Sequence, residues 1–216
     1  MRAGPVGLFC FGCSDDLVRT AHDQGRITHQ DRRCSAGAIV IAGAVALNLQ
    51  EKTLSVRDFV TQLFVLAEPF DRILAIAIQH IPHWLRQSTS TAAGEISMTG
   101  VAPGLDDGWP GISPFVTASV LWSMYSFLRS PDDYMESICT EIGVGGDVDT
   151  TAAMTGAVSG ALVGLDRLPR DLAQQVNDAG TWRETRTLIP LDRLPVSLAF
   201  RQRPHQKRML ARAEWP

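Results

Sequence analysis

Apolar positions along the chain recur at intervals of three and four residues, and that period predicts helices almost throughout. Residues 14–25 open Ser14-Asp15-Asp16-Leu17-Val18, a cap-like serine followed by acids at the positive end of a helix. The stretch 35–50 is a helix of small apolar residues. In 55–68 a near capping box, Ser55-Val56-Arg57-Asp58, precedes Phe59, Leu63 and Leu66 on one face, and the helix stops before Pro69. The stretch 70–86 is apolar through Ile78 and is expected to break at Pro82. Segment 114–129 carries Phe115, Trp122, Tyr125 and Phe127, bulky residues suited to a core helix. Segment 132–142 follows Pro131 with two acids in its first turn. No alternating strand pattern of useful length interrupts these segments, so the expected fold is all-α.

Residues 87–113 break the period. They hold Gly94, Gly100, Gly104, Gly108 and Gly111 and are expected to form a long loop, a lid with Trp109 as an aromatic face, or a disordered segment. Asp106-Asp107 in that loop could be read as a carboxylate pair, but adjacent side chains diverge unless a turn converges them. Beyond residue 185 prolines accumulate. Arg201-Gln202-Arg203-Pro204-His205-Gln206-Lys207-Arg208 reads first as a solvated basic tail and second as an arm for nucleic acid or an acidic partner. The expected organisation is one helical domain over 1–185 and an irregular basic tail over 186–216.

With 216 residues, 45% of them apolar, the chain can bury a sizeable core. Lys and Arg total 20 against 23 Asp and Glu, a net charge of −3 that exerts no global pull on nucleic acid. No run reaches the roughly 18–20 apolar residues of a membrane span, and the longest, Ala36 to Leu47, reads as a buried helix. No leader is expected from Met1-Arg2-Ala3-Gly4-Pro5. The four cysteines include Cys10-Phe11-Gly12-Cys13, which lacks both a βαβ setting and a second close pair. Buried thiols in a reducing compartment, the cytoplasm, are the expectation.

The candidate chemistry lies in Gly145-Gly146-Asp147-Val148-Asp149-Thr150. Two carboxylates one residue apart beside a hydroxyl form an all-oxygen cluster of the kind that hard divalent cations bind. The glycines admit unusual backbone angles and the close approach of a ligand. The plainer alternative is that Asp149 or Thr150 only caps the following helix. That helix carries Gly156, Gly160 and Gly164 four apart, with Ala153, Ala157 and Ala161 extending the smooth surface. Each glycine costs about 1 kcal/mol of helix propensity, so the pattern suggests a helix buried at the centre of the domain. His80-Ile81-Pro82-His83 lacks an apparent third ligand and reads as a helix end. His29, between two helices, reads by position as a surface or capping group.

The stretch Gly145–Pro169 resembles the C-terminal signature of the ADP-ribosylglycohydrolase family, Gly-Gly-Asp-Thr-Asp-Thr followed by an Ala/Gly-rich helix and a Leu-Pro turn. Gly111–Ser130 is similar to the family's Gly-x-x-x-(aromatic)-Val helix, and Arg26-Ile27-Thr28-His29 to its Ile/Leu-Thr-His segment. Met1-Arg2-Ala3-Gly4-Pro5-Val6-Gly7-Leu8 is similar to a stretch internal to family members. The resemblance covers residues 1 to 185 and departs at Val148, where threonine is usual, and at Gly143, where asparagine is usual. It implies a compact all-α domain, N-terminally truncated relative to the family, because Thr-Asp-Asp and a glycine-rich ADP-ribose loop do not occur in the sequence.

What the resemblance implies for function is metal-assisted hydrolysis of the glycosidic bond between ADP-ribose and an acceptor, a protein or a small molecule. Asp147, Asp149 and Thr150 would ligate Mg²⁺ or Mn²⁺ in a binuclear site that is incomplete here. His29, Gly145 and Gly146 would contact substrate, and a general acid carboxylate would come from the Thr-Asp-Asp portion. The alternatives are a catalytically inactive remnant, a module that binds ADP-ribose or a partner, and one piece of a split enzyme completed by a second chain. Neither a membrane nor nucleic acid is an expected partner.

Overall fold

Side-chain caps start several of the helices, and Asp31 caps the helix Arg32–Gln50 by accepting from the Arg33 amide at 2.8 Å. Ser55 accepts from the Asp58 amide, Asp71 from the amides of Ile73 and Leu74, Ser88 from Thr91, and Asp133 from Glu136. Each cap satisfies an orphan donor and is worth about 1 kcal/mol. The computed structural model describes residues 2–50, 54–102, 104 and 108–175. Its helices are α1 (Gly4–Cys10), α2 (Ser14–Arg26), α3 (Arg32–Gln50), α4 (Val56–Ala67), α5 (Arg72–Trp84), α6 (Thr89–Ser97), α7 (Val116–Arg129), α8 (Tyr134–Ile142), α9 (Val148–Val163) and α10 (Arg170–Gln175). Among the described residues there is no strand, and the protein is all-α as its periodicity predicts. The chain divides between Asp166 and Arg167 into two compact units; α1–α9 belong to the first, and α10 lies in the second. The expected basic tail lies outside the described residues, as do Asp106 and Asp107.

Two helices make the core of the first unit. In α7 every residue from Thr117 to Leu128 is buried, and Trp122, Tyr125 and Phe127 are fully so. The Trp122 and Tyr125 rings stack with centroids 4.9 Å apart, and the Trp122 indole donates to the Glu141 carbonyl at 3.1 Å. The other core helix, α3, packs against α1, α2, α4, α7 and α9. By length and mean hydropathy α3 is apolar enough to cross a membrane, contrary to the sequence expectation, but 72% of that stretch is buried within the protein. Its small residues admit close neighbours: at Gly7 of α1 a Cβ would collide with the Ala42 carbonyl and stand 2.8 Å from the Val45 Cβ.

Several expectations change. Ser14 is the first residue of α2 instead of its cap; Cys13 occupies the cap position without a side-chain bond. The loop expected over 87–113 contains α6, which Ser88 caps and which buries Ala92, Ala93 and Ile96 on one face. Gly94 lies in open space on that helix. The helix expected to break at Pro82 runs on to Trp84. A proline inside a helix costs about 3 kcal/mol, but each fully buried large side chain returns about 1.5–3 kcal/mol, and Ile78, Ile81 and Trp84 are all buried here. Helix α9 is not central. Its buried face is Thr151, Met154, Thr155, Val158 and Ser159, while its glycines are half covered. Gly156 lies under the Tyr134 hydroxyl, and Gly164 ends the helix at φ +75°. The thiols are not fully buried: Cys10, Cys13 and Cys34 are half-buried and Cys139 is exposed.

Candidate functional site

Backbone hydrogen bonds tie the loop before α9 to Ile112. The Ile112 amide donates to the Gly145 carbonyl at 3.2 Å, and the Asp147 amide to the Ile112 carbonyl at 2.8 Å, making a parallel bridge between Ile112 and Gly146. At Gly146, φ is +98° and a Cβ would collide with the Ile112 backbone. Only glycine fits that approach. Gly145 and Gly146 thus set the direction of the chain into Asp147, and they do not line the cavity described below.

Asp147 takes the N-cap position of α9, yet its carboxylate accepts no helix amide. Its carbonyl does the capping, accepting from the Thr151 amide at 3.1 Å and the Thr151 hydroxyl at 3.0 Å. The carboxyl group is therefore available for other partners. Burial pushes its pKa above the ordinary aspartate value, the Thr150 hydroxyl pulls the other way, and a hydrogen bond and the charge of Asp149 add to the rise. Asp147, Asp149 and Thr150 thus supply oxygen donors of the kind a hard cation could use, and the Asp147 carboxylate is not spent on a helix cap.

Asp147 and Thr150 line a cavity of about 570 Å³ together with Thr28, His29, Asp31 and Arg33 of the α2–α3 junction, Arg2 and Phe115. Arg2 donates to Thr28 Oγ1 at 2.6 Å, and the same hydroxyl meets His29 Nδ1 at 2.9 Å. With Arg2 as donor, the Thr28 proton can go to Nδ1, which leaves the ring proton of a neutral His29 on Nε2. Asp31 holds Arg33 through both carboxylate oxygens, at 2.6–3.2 Å, and the pairing lowers the Asp31 carboxyl to about 2. Arg33 lies 5.4 Å over the Phe115 ring. The exposed ion pair adds little stability; its effect is to fix the guanidinium against an aromatic face in the cavity lining.

Of the candidate residues, the structure therefore brings Asp147, Thr150 and His29 to one cavity. Asp149 is exposed beside Asp147, and the two glycines shape the loop behind. Trp109, considered as a lid residue, is 47% exposed and does not line this cavity. Arg2, Asp31, Arg33 and Phe115 were not anticipated. Phe115 was expected in the core and instead stands half-buried at the α7 N-cap, where the turn before Val116 aims it at the cavity. Behind the site lies Glu141, 1% exposed, whose Oε2 accepts from Thr155 at 2.9 Å. Burial raises its carboxyl to about 7, against the pull of the Thr151, Thr155 and Ser126 hydroxyls.

Residues 1–203 match the sequence profile of ADP-ribosylglycohydrolases. The chain belongs to the ADP-ribosylglycohydrolase family. Among its relatives are an uncharacterized protein of Archaeoglobus fulgidus, 27% identical over 161 residues, which are 74% of this chain and 47% of the relative. The human ADP-ribosylhydrolase ARH3 is 28% identical over 200 residues, 81% of this chain and 52% of the human one. The zebrafish (Danio rerio) ADP-ribosylhydrolase ARH3 is 24% identical over 195 residues, covering 83% and 52%. The chain thus spans about half the length of the relatives it matches.

Proposed function

We infer that the chain contributes the acidic cluster and one wall of the substrate cavity to an ADP-ribosyl hydrolase that cleaves the glycosidic bond between ADP-ribose and a protein or small-molecule acceptor. The observation that carries this reading is the convergence of an uncapped Asp147 carboxyl, Thr150 and His29 on one cavity, in a chain of this family. The volume lies within the roughly 300–1,000 Å³ typical of ligand sites. Arg33 and Arg2 offer guanidinium groups suited to a pyrophosphate, and Phe115 offers a face to a planar base.

Asp147, Asp149 and Thr150 would hold Mg²⁺ or Mn²⁺, which supplies charge for orienting the ribose hydroxyls and an attacking water. The protein's own residues do the rest: His29 Nε2–H donates to a substrate oxygen, and the Arg33–Phe115 stack fixes the far end of the ligand. The transition state at the ribose is oxocarbenium-like and needs a proton for the leaving group. Asp31, ionised near pH 2 and committed to Arg33, cannot donate it at neutral pH.

That deficit favours a second reading, a module that binds ADP-ribose without cleaving it, or that is completed by another polypeptide. Among the described residues, Asp31 and Asp147 are the carboxylates lining the cavity, too few for two ions and a general acid. Cytoplasmic residence accords with either reading. The assay that separates them is release of free ADP-ribose, followed by mass spectrometry, from mono-ADP-ribosylated peptides incubated with the chain and Mn²⁺. Release that disappears in Asp147→Ala supports the hydrolase. Retained ADP-ribose binding with no release supports the module.

A further inference from the structure

On the surface formed by α5 and α6, a second group of donors converges. His80 and His83 lie one turn apart, their ring centroids 4.6 Å from each other, because α5 stays helical through Pro82. Glu95 of α6 faces them, and one donor atom from each of the three residues lies within 4.8 Å of the other two. Zinc bound to three such ligands at about 2.0–2.2 Å draws them closer than this; all three side chains are exposed, and small rotations close the gap.

The hydrogen bonds mark where the lone pairs point. The Gln87 amide nitrogen sits 3.0 Å from Glu95 Oε1 and 3.1 Å from His83 Nε2. A single NH₂ group therefore meets both a carboxylate and an imidazole nitrogen, the arrangement a cation would adopt in its place. Glu95 Oε2 is steadied by the Trp84 indole N–H at 2.8 Å. Trp84 is buried and packs its ring edge-on to His80 at 5.0 Å, so the partner of the carboxylate is rigid. Outer contacts of this kind orient metal ligands and are worth 10–100-fold in affinity.

We propose that His80, His83 and Glu95 form a binding site for a borderline divalent metal, Zn²⁺ in the first instance, with water completing the coordination. Two imidazoles and one carboxylate are a ligand set for zinc and its first-row neighbours, not for Mg²⁺, which prefers oxygen. The site lies apart from Asp147 and shares no residue with that cavity. Its consequence is structural: a metal there clips the last turn of α5 to α6 across the short connection 85–88.

The test is titration of the full, untagged chain with Co²⁺, read by its visible ligand-field absorption, followed by displacement with Zn²⁺. The expected result is a saturable one-to-one band, displaced by Zn²⁺ and unaffected by Mg²⁺, with a thermal midpoint that rises in Zn²⁺. The band is lost in His80→Ala/His83→Ala and kept in both Asp147→Ala/Asp149→Ala and Cys10→Ser/Cys13→Ser. Trp84→Phe weakens binding about tenfold, while Gln87→Ala, which removes the competing amide, strengthens it several-fold. Absence of a saturable band on folded protein overturns the site, and so does a band that survives the double histidine variant.

Discussion

Replacing Glu141 by glutamine tests whether the protein carries a neutral acid behind its candidate site. Glu141 Oε1 is buried without a hydrogen-bond partner of regular geometry, and so is Ser126 Oγ, whose hydroxyl acts on the same carboxyl. One proton joins two bare oxygens; an ionised carboxylate there is left with too few donors. The folded carboxyl titrates at about 7 and the ordinary glutamate value is 4.5. Between those two values the native state binds more protons than the unfolded chain, so stability falls as pH rises through that window and is level above it. At 1.36 kcal/mol per pH unit, the full loss is about 3 kcal/mol, of which about 2.5 kcal/mol falls between pH 5 and pH 8. Glutamine cannot ionise and keeps an acceptor for Thr155. Urea unfolding of both proteins at pH 5 and pH 8, followed by circular dichroism, isolates the Glu141 contribution, because every other titrating group cancels in the difference. The variant should gain about 2.5 kcal/mol relative to the parent on going from pH 5 to pH 8. A difference that is the same at both pH values would refute the neutral-acid reasoning.

Further outcomes follow from the packing and the cavity. Gly146→Ala forces a Cβ into the Ile112 backbone at φ +98° and should cost about 1–3 kcal/mol, seen as a lower thermal midpoint together with weaker Mn²⁺ binding; no change in either contradicts the loop geometry. Arg33→Ala removes a charged donor, worth about 1.5–3 kcal/mol, and should weaken ADP-ribose binding at least tenfold in calorimetry without lowering the thermal midpoint. Gly7→Ala overpacks the α1–α3 contact and should destabilise by about 1–3 kcal/mol in urea unfolding; a neutral result would mean the two helices are not in close contact.

Helix periods and caps were legible because they are local. Ser55 and the apolar face of α4 follow from spacing alone, whereas Asp133, expected in the first turn of its helix, is instead the N-cap of α8. The failures share a different cause, tertiary burial. Pro82 is a breaker by propensity, but Ile78, Ile81 and Trp84 bury enough surface to carry α5 past it. Helix α6 was obscured by Gly94, which needs no neighbour because it faces open space. Phe115 counts as core in any composition argument, and only the chain turn before α7 sends it to the cavity. The site divides the same way. Asp147 and Thr150 declare themselves by adjacency, whereas Asp31 and Arg33 at positions i and i+2 resemble an ordinary surface pair until the start of α3 brings them into the same cavity as Asp147. Glu95 could not be matched to His80 and His83 before the α5–α6 turn was known.

The most direct test of the proposed function is calorimetric titration of the full chain with Mn²⁺ and then ADP-ribose, beside Asp147→Ala/Asp149→Ala. The account predicts saturable ADP-ribose binding that requires Mn²⁺ and is lost in the double variant while its circular dichroism spectrum stays helical. Absence of heat with either ligand on folded protein, or binding that the double variant retains in full, would contradict it.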